Sequence, residues 1–93
     1  MTFQKDKLLL GEFLRKARKA KGLSQTELAR EIGFRSGQNI SDWERCHGPR
    51  IPTPMLKKMI VVLNLNLHEV YELYLTDEKK RIENKIRREW EDC

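Results

Sequence analysis

The chain has 93 residues, which is enough for one small domain whose core lies near the lower limit of stability without metal ions or disulfide bonds. It is 39% hydrophobic and 35% charged, with three prolines and five glycines, and it contains no alternating run of β-branched residues, so we expect an all-α fold. Two cysteines form no disulfide framework, and neither a signal peptide nor an apolar run of about eighteen residues is present. We therefore expect a cytoplasmic protein rather than a secreted or membrane-spanning one.

The net charge of +5 is concentrated at the start of the chain. Residues 1–22 contain seven lysines and arginines against two acidic residues, and the charges of the remaining residues cancel. Such a cluster can bind nucleic-acid phosphates, or it can be a solvated surface without a partner. Charge alone favours the second interpretation.

The first predicted helix follows a flexible polar arm, residues 1–9. Apolar residues recur at helical spacing from Leu10 to Ala17, the cations accumulate toward the C-terminal end, where the helix dipole favours them, and Gly22 ends the helix.

Two short helices joined by a tight turn are predicted in Leu23–Arg45. Ser24 and Glu27 have the spacing of a capping box, so the first of the two begins at Gln25, and Gly33 is suited to end it in a left-handed conformation.

The second helix of the pair follows the turn of residues 34–37. Ile40 and Trp43 lie three positions apart on an otherwise polar segment, which predicts a narrow buried edge and a broad exposed one. Trp43 can pack in the core or stack on a base, and its place on the apolar stripe favours packing.

A loop and two more helices follow. Glycine and prolines forbid regular structure in residues 46–52. Thr53 is expected to cap a helix over Met55–Leu63, with Pro54 in its first turn, and Asn66 is expected to cap a fifth helix.

The segment of residues 76–93 is highly charged and is either a sixth helix or an extension of the fifth. Its large apolar residues, Ile82, Ile86 and Trp90, lie at i, i+4 and i+8 and so share one stripe. This stripe either mediates dimerisation or packs on the core of its own chain. Two favourable i, i+4 ion pairs are predicted there, Asp77 with Arg81 and Glu83 with Arg87.

No pattern of catalytic residues is evident. A glycine-rich phosphate loop and a nucleophile elbow are both missing, and the cysteines and histidines, Cys46, His47, His68 and Cys93, match no metal-site spacing. We expect no enzymatic activity, no metal and no cofactor.

The helical pair and its neighbours are similar to a known family. The residues that carry the resemblance are SQTELAREIG (Ser24–Gly33), ISDWER (Ile40–Arg45), Arg18, Gly22 and the Pro52–Leu63 helix. Over about residues 10–74 the chain resembles the lambda-repressor-like, or Cro-type, helix-turn-helix proteins. The resemblance implies a five-helix DNA-binding domain at residues 10–75, with a recognition helix at about Gly37–Arg45 that enters the major groove. The charged amphipathic segment of residues 76–93 lies outside the resemblance and is expected to serve dimerisation or partner binding.

The resemblance also implies roles for individual residues. Gln25 is expected to bind a DNA phosphate and brace the recognition helix, Gln38 to pair with an adenine edge or a phosphate-side partner, and Arg45 to contact the DNA backbone. The full set of candidate DNA-binding residues is Lys19, Lys21, Gln25, Arg35, Ser36, Gly37, Gln38, Asn39, Ser41, Asp42, Arg45 and Arg50. The candidate structural residues are Ala29, Gly33, Ile40, Trp43 and the pair Arg18 and Glu44, which is expected to join the first and third helices.

The chain departs from the family pattern at three points. They leave open which residues of the recognition helix face the groove and how the loop after that helix contacts DNA. The segment Gly33–Ile40 is one residue longer than in the shortest members, so the position of the groove-facing residues is open by one. Asp42 is an acid where the family often has a neutral amide, and it can accept from a cytosine amino group or repel other sequences. Cys46 replaces an expected glycine, so the loop can contact DNA through Arg50 or His47.

Three functions remain from this reasoning. The first is a transcriptional regulator that binds a palindromic operator as a homodimer, with Ile82, Ile86 and Trp90 as candidate interface. The second is an antitoxin or another protein-interaction module whose tail binds a partner such as a toxin. The third is an RNA-binding helical domain, which the lack of an aromatic-bearing sheet disfavours.

Overall fold

The structure is a computed structural model that describes residues 8–45 and 50–91. That part of the chain contains helices and no strand, so the predicted all-α fold is confirmed. The helices are α1 (Leu10–Ala20), α2 (Gln25–Glu31), α3 (Gln38–Glu44), α4 (Thr53–Leu63) and α5 (Leu67–Glu91). The expectations for the arm up to Lys7, for Cys46, His47 and Gly48 and for Cys93 concern positions outside the described residues.

Local capping signals place the boundaries of α2. The Ser24 hydroxyl accepts a hydrogen bond from the Glu27 amide, and the Glu27 carboxylate accepts one from the Ser24 amide, each at 3.0 Å. At the other end, Gly33 has a φ of +101°, a conformation that a side chain would disfavour. The helix therefore begins and ends where the sequence predicts.

Helix α4 begins two residues earlier than predicted. Pro52, with φ −60° and ψ 136°, is the N-cap, and Thr53 is already helical and caps nothing with its side chain. Two prolines fit this start because the first turn of a helix needs no amide hydrogen and their fixed φ is already helical. Asn64 ends the helix in the left-handed conformation, with φ 53°, and the Asn66 carboxamide oxygen then accepts from the Glu69 amide at 3.0 Å to open α5.

The core lies between α1 to α4 and the first turns of α5. Phe34 and Trp43 meet edge to face with ring centroids 5.8 Å apart, and Trp43 is only 9% exposed, so its ring belongs to the core. The buried hydrophobic residues are Leu10, Leu14, Leu28, Ala29, Ile32, Ile40, Trp43, Ile51, Leu56, Met59, Leu63 and Val70.

The charged C-terminal segment is an extension of α5 and not a sixth helix. Helix α5 runs without a break through residues 75 and 76, the predicted boundary between the DNA-binding domain and the C-terminal segment. The division therefore remains a proposal about function rather than a break in structure.

Asp77 does not form the predicted pair with Arg81. Its carboxylate is buried and accepts hydrogen bonds from the amides of Leu9 and Leu10, at 2.8 and 2.9 Å. Amides in the first turn of a helix have no partner within the helix, and the N-cap residue Leu9 provides no side-chain cap, so Asp77 supplies the partner that α1 lacks. Arg81 instead lies 3.6 Å from Glu78.

Candidate nucleic-acid interface

A close approach between α2 and α3 forms the base of the interface. A Cβ atom on Gly37 would lie 3.0 Å from the Cβ and carbonyl carbon of Gln25 and from the amide nitrogen of Thr26, which is closer than real Cβ atoms tolerate without a shift. Gly37 precedes the first residue of α3 and is half-buried. It therefore lets the two helices of the pair meet.

A buried ion pair fixes α3 against α1. The Arg18 guanidinium donates from Nε to Glu44 Oε2 at 2.6 Å and from Nη2 to Glu44 Oε1 at 3.0 Å, and its Nη1 donates to the carbonyl of Leu23 at 2.7 Å. The side chains of Arg18 and Glu44 are 8% and 2% exposed. The bidentate geometry compensates for part of the loss of hydration.

Gln25 joins the same cluster from the first turn of α2. Its Nε2 donates to Glu44 Oε1 at 3.0 Å, so one carboxylate of α3 is held from α1 and from α2. The Gln25 side chain is only half-buried, which leaves part of it accessible at the surface. The orientation of α3 is therefore set by polar contacts as well as by the core.

The edge of α3 that faces away from the core is polar. Gln38 Nε2 donates to Asp42 Oδ1 at 3.0 Å, and Arg45 Nη2 lies 3.5 Å from the same oxygen. Gln38, Asn39 and Arg45 are exposed, and the Asp42 charge is flanked by an amide and a cation. These side chains offer hydrogen-bond donors and acceptors on one helix, which is the chemistry that reads base edges.

Exposed cations occur at the end of α1 and in the turn before α3. Lys19, Lys21 and Arg35 are exposed, and the first two lie at the C-terminal end of α1. Ser36 is exposed in the turn before α3, where its hydroxyl accepts from the Gln38 amide at 3.4 Å.

The family model described as "Helix-turn-helix domain" matches residues 9–73, which is more than half of the chain. The chain belongs to this helix-turn-helix family. Its match includes α1 to α4 and the start of α5, and it agrees with the lambda-repressor-like resemblance. Comparison with curated proteins and with solved structures gave no match.

Because the chain belongs to this family, DNA is its expected ligand, and the helix-turn-helix domain suggests a DNA-binding regulator. Within the domain, α2 and α3 are the helical pair, and α3 is the helix that the sequence predicts for DNA recognition.

Arg50 pairs with a residue that no local sequence pattern predicts. Arg50 Nη1 donates to Glu78 Oε2 at 2.8 Å, and this hydrogen bond is the main cause that raises the pKa of Arg50 above its ordinary value. Glu78 is 28 positions away, on α5. No local pattern connects the two residues, whereas the lowered pKa of Glu27, caused first by the backbone and then by the side chain of Ser24, follows from a local capping box.

The C-terminal stripe does not pack on the core. Ile82, Ile86 and Trp90 are 58%, 48% and 76% exposed in the single chain. They lie beyond the residues that the family model matches. Large apolar side chains on an isolated helix end are characteristic of contact surfaces.

Other chemistry has little support in the part of the chain that the structure describes. No group of three or more potential metal-ligating side chains occurs there, and His68 lies on the surface, 3.8 Å from Glu72. None of the described helices combines the length and the apolar character that crossing a bilayer requires.

Proposed function

We propose that this chain is a sequence-specific transcriptional regulator that binds a palindromic operator as a homodimer, with α3 in the major groove. The observation that carries the proposal is the exposed polar edge of α3, held in place by the contacts of Glu44 with Arg18 and Gln25. A rigid helix is needed because base readout depends on hydrogen-bond geometry.

Base contacts are assigned to the exposed edge of α3. Gln38 presents an amide that suits an adenine edge, and the Asp42 carboxylate suits a cytosine amino group. Their mutual hydrogen bond at 3.0 Å orients both before DNA arrives. Asn39 and Ser41 supply further polar groups beside them.

Backbone contacts are assigned to residues around that edge. Gln25 is the first residue of α2, and Arg45 follows the last residue of α3. The two residues can therefore contact phosphates on either side of the groove. The remaining candidates for phosphate contact are Lys19, Lys21, Arg35, Ser36 and Arg50. Gly37 lies at the α2–α3 contact and remains a candidate groove-facing position at the start of α3.

A homodimer is proposed because one recognition helix reads only a few base pairs. Two half-sites about one helical turn apart provide the affinity and specificity that a single domain of this size lacks. The exposed Ile82, Ile86 and Trp90 supply the contact surface.

A second candidate function depends on the same exposed stripe. A protein-interaction module, such as an antitoxin, would bind a partner protein through α5 while its helix-turn-helix domain regulates its own operator. The stripe favours this candidate only if it does not mediate self-association.

Selection of bound duplexes from a random DNA pool tests the leading proposal. We expect enrichment of a palindrome whose half-sites are centred about 10 base pairs apart. Enrichment of one unrepeated half-site would contradict the homodimer, and a failure to enrich any sequence would contradict sequence-specific binding. A Gln38→Ala, Asp42→Ala double variant is the matched control, because it keeps the cations and removes the proposed readout.

A further inference from the structure

The exposed apolar stripe of α5 is longer than the three residues at its C-terminal end. Six large apolar side chains along the helix are 36% to 76% exposed. They are Leu67, Tyr71, Leu75, Ile82, Ile86 and Trp90. We call this set the α5 stripe.

The α5 stripe is symmetric along the helix. Its successive spacings are four, four, seven, four and four residues, so the pattern is the same in both directions about a midpoint between Glu78 and Lys79. An antiparallel copy of α5 centred at that midpoint brings each stripe residue opposite another one. Leu67 meets Trp90, Tyr71 meets Ile86, and Leu75 meets Ile82.

The charges of α5 are divided at the same midpoint. Residues 67–78 contain four carboxylates and no lysine or arginine, and residues 79–90 contain six lysines and arginines against two glutamates. An antiparallel pair places each acidic half beside a basic half. A parallel pair places like charges together, which is unfavourable.

We propose that α5 pairs antiparallel with α5 of a second copy of this chain along the whole α5 stripe. The proposal rests on the homodimer of the proposed function and specifies its interface, direction and register. The interface is isologous, since each contact between residues 71 and 86 occurs twice about a two-fold axis near Glu78 and Lys79.

A groove on the domain provides a place for the end of the second helix. It lies between α4 and α5, has a volume of about 110 Å³, and its wall includes Leu56, Ile60, Leu67 and Tyr71. Leu67 and Tyr71 are also members of the α5 stripe. The partner's Trp90, opposite Leu67, thus lies at the mouth of an apolar groove and covers it.

The position of α5 relative to the domain is fixed at the centre of this pairing. Asp77 is tied to the start of α1, and Glu78 to Arg50, which follows the recognition helix in the chain. Pairing of the two α5 helices therefore also sets the position of one recognition helix relative to the other.

Disulfide cross-linking in solution distinguishes the direction of pairing. In a background with Cys46→Ser and Cys93→Ser, a Tyr71→Cys chain is mixed with an Ile86→Cys chain and oxidised mildly. We expect a disulfide between the two different chains. Either variant alone should give no disulfide. In a homodimer of one variant, the introduced thiols of the two copies lie roughly 22 Å apart along the antiparallel pair, at 1.5 Å per residue. A Tyr71→Cys chain mixed with a Lys80→Cys chain is the matched control and should also give none.

Charge reversal provides a second measurement that does not depend on thiol geometry. Glu69→Lys with Glu72→Lys should raise the dimer dissociation constant about tenfold or more at low salt, and adding Lys85→Glu with Arg88→Glu should restore it. All four side chains are exposed, so folding should persist. Tighter dimerisation of the first variant would overturn the proposal.

The outcomes separate this proposal from the one on which it rests. A dimer that cross-links Tyr71→Cys to itself would overturn the antiparallel pairing and leave the homodimeric regulator standing. A chain that sediments as a monomer, both free and on the selected duplex, would overturn the pairing and the homodimer together. Sequence-specific DNA binding is judged separately by the selection experiment.

Discussion

A single buried carboxylate, that of Asp77, ties the last helix to the first. It accepts hydrogen bonds from the amides of Leu9 and Leu10 and so supplies the cap that α1 lacks locally. The residue is only 5% exposed. If the carboxylate were removed, the two amides would lose their partner and water could not easily replace it.

Replacement of Asp77 should therefore destabilise the domain. We expect Asp77→Ala to lower the free energy of unfolding by roughly 1–3 kcal/mol, and Asp77→Asn to lower it by less because one acceptor oxygen remains. Urea denaturation followed by circular dichroism measures both. Glu83→Ala, which removes an exposed carboxylate on the same helix, is the control and should change the free energy of unfolding by about 0.5 kcal/mol or less.

A chain that ends at Thr76 lacks the Asp77 cap. Point variants of the α5 stripe are therefore better tests of dimerisation than truncation of α5.

Gln38 is the residue at which the groove register can be tested. It is exposed, and its side chain donates a hydrogen bond to Asp42. We expect Gln38→Ala to cost about 1–3 kcal/mol of binding to the selected operator, roughly 5- to 150-fold in affinity, and to relax preference at one base step. Fluorescence anisotropy with operator and with an unrelated duplex measures the two affinities. An unchanged operator affinity, or an equal loss on both duplexes, would place the readout on another residue.

At the scale of elements, the position of α3 depends on a polar cluster inside the domain. Glu44 receives hydrogen bonds from Arg18 and Gln25, and its side chain is 2% exposed. A buried charge without its partner is costly, whereas replacement of the whole pair by apolar residues is often close to neutral.

Glu44→Gln should thus lower the free energy of unfolding by about 3–5 kcal/mol, since it leaves the Arg18 guanidinium buried without a counter-charge. The double variant Arg18→Met, Glu44→Leu should recover much of the loss. Glu12→Gln breaks the exposed pair with Lys16 and serves as the control, with an expected loss of about 1 kcal/mol or less. Thermal and urea unfolding measure all three variants. A loss for Glu44→Gln no larger than that for Glu12→Gln would mean that the pair contributes little.

The elements that sequence reasoning predicted well are those with local signals. The Ser24 capping box and Gly33 define α2 within a few residues, and the Ile40 and Trp43 spacing predicts a helix with one buried edge. The start of α4 was missed by two residues because the first turn of a helix accepts proline at more than one position.

Contacts between distant parts of the chain were not predictable in this way. Asp77 lies 67 and 68 positions from its partners, and Glu78 lies 28 positions from Arg50. The pattern of residues 77 and 81 favours a local ion pair, but the direction of α5 across the end of α1 decides the contact instead. For the same reason the pattern of Ile82, Ile86 and Trp90 could not distinguish packing on the core from exposure.

At the scale of the whole molecule, charge is distributed in two separate ways. The cations at the end of α1 lie beside the helical pair, and the two halves of α5 carry opposite charge. Salt therefore weakens two proposed equilibria, DNA binding and α5 pairing, through different residues. Variants of α1 and variants of α5 should separate the two effects.

Lys19 and Lys21 provide that separation for DNA binding. Both are exposed, so their replacement by glutamine should leave folding intact. Each phosphate contact that is lost should weaken binding to every duplex alike and reduce the slope of log affinity against log salt by about one unit, because fewer counterions are released. Titrations of operator and unrelated duplex at several salt concentrations measure the slope. Lys58→Gln removes an exposed lysine of α4 outside the proposed interface and should leave the slope unchanged. If Lys19→Gln and Lys21→Gln also leave it unchanged, the basic end of α1 is a solvated surface, and the phosphate contacts belong to other residues.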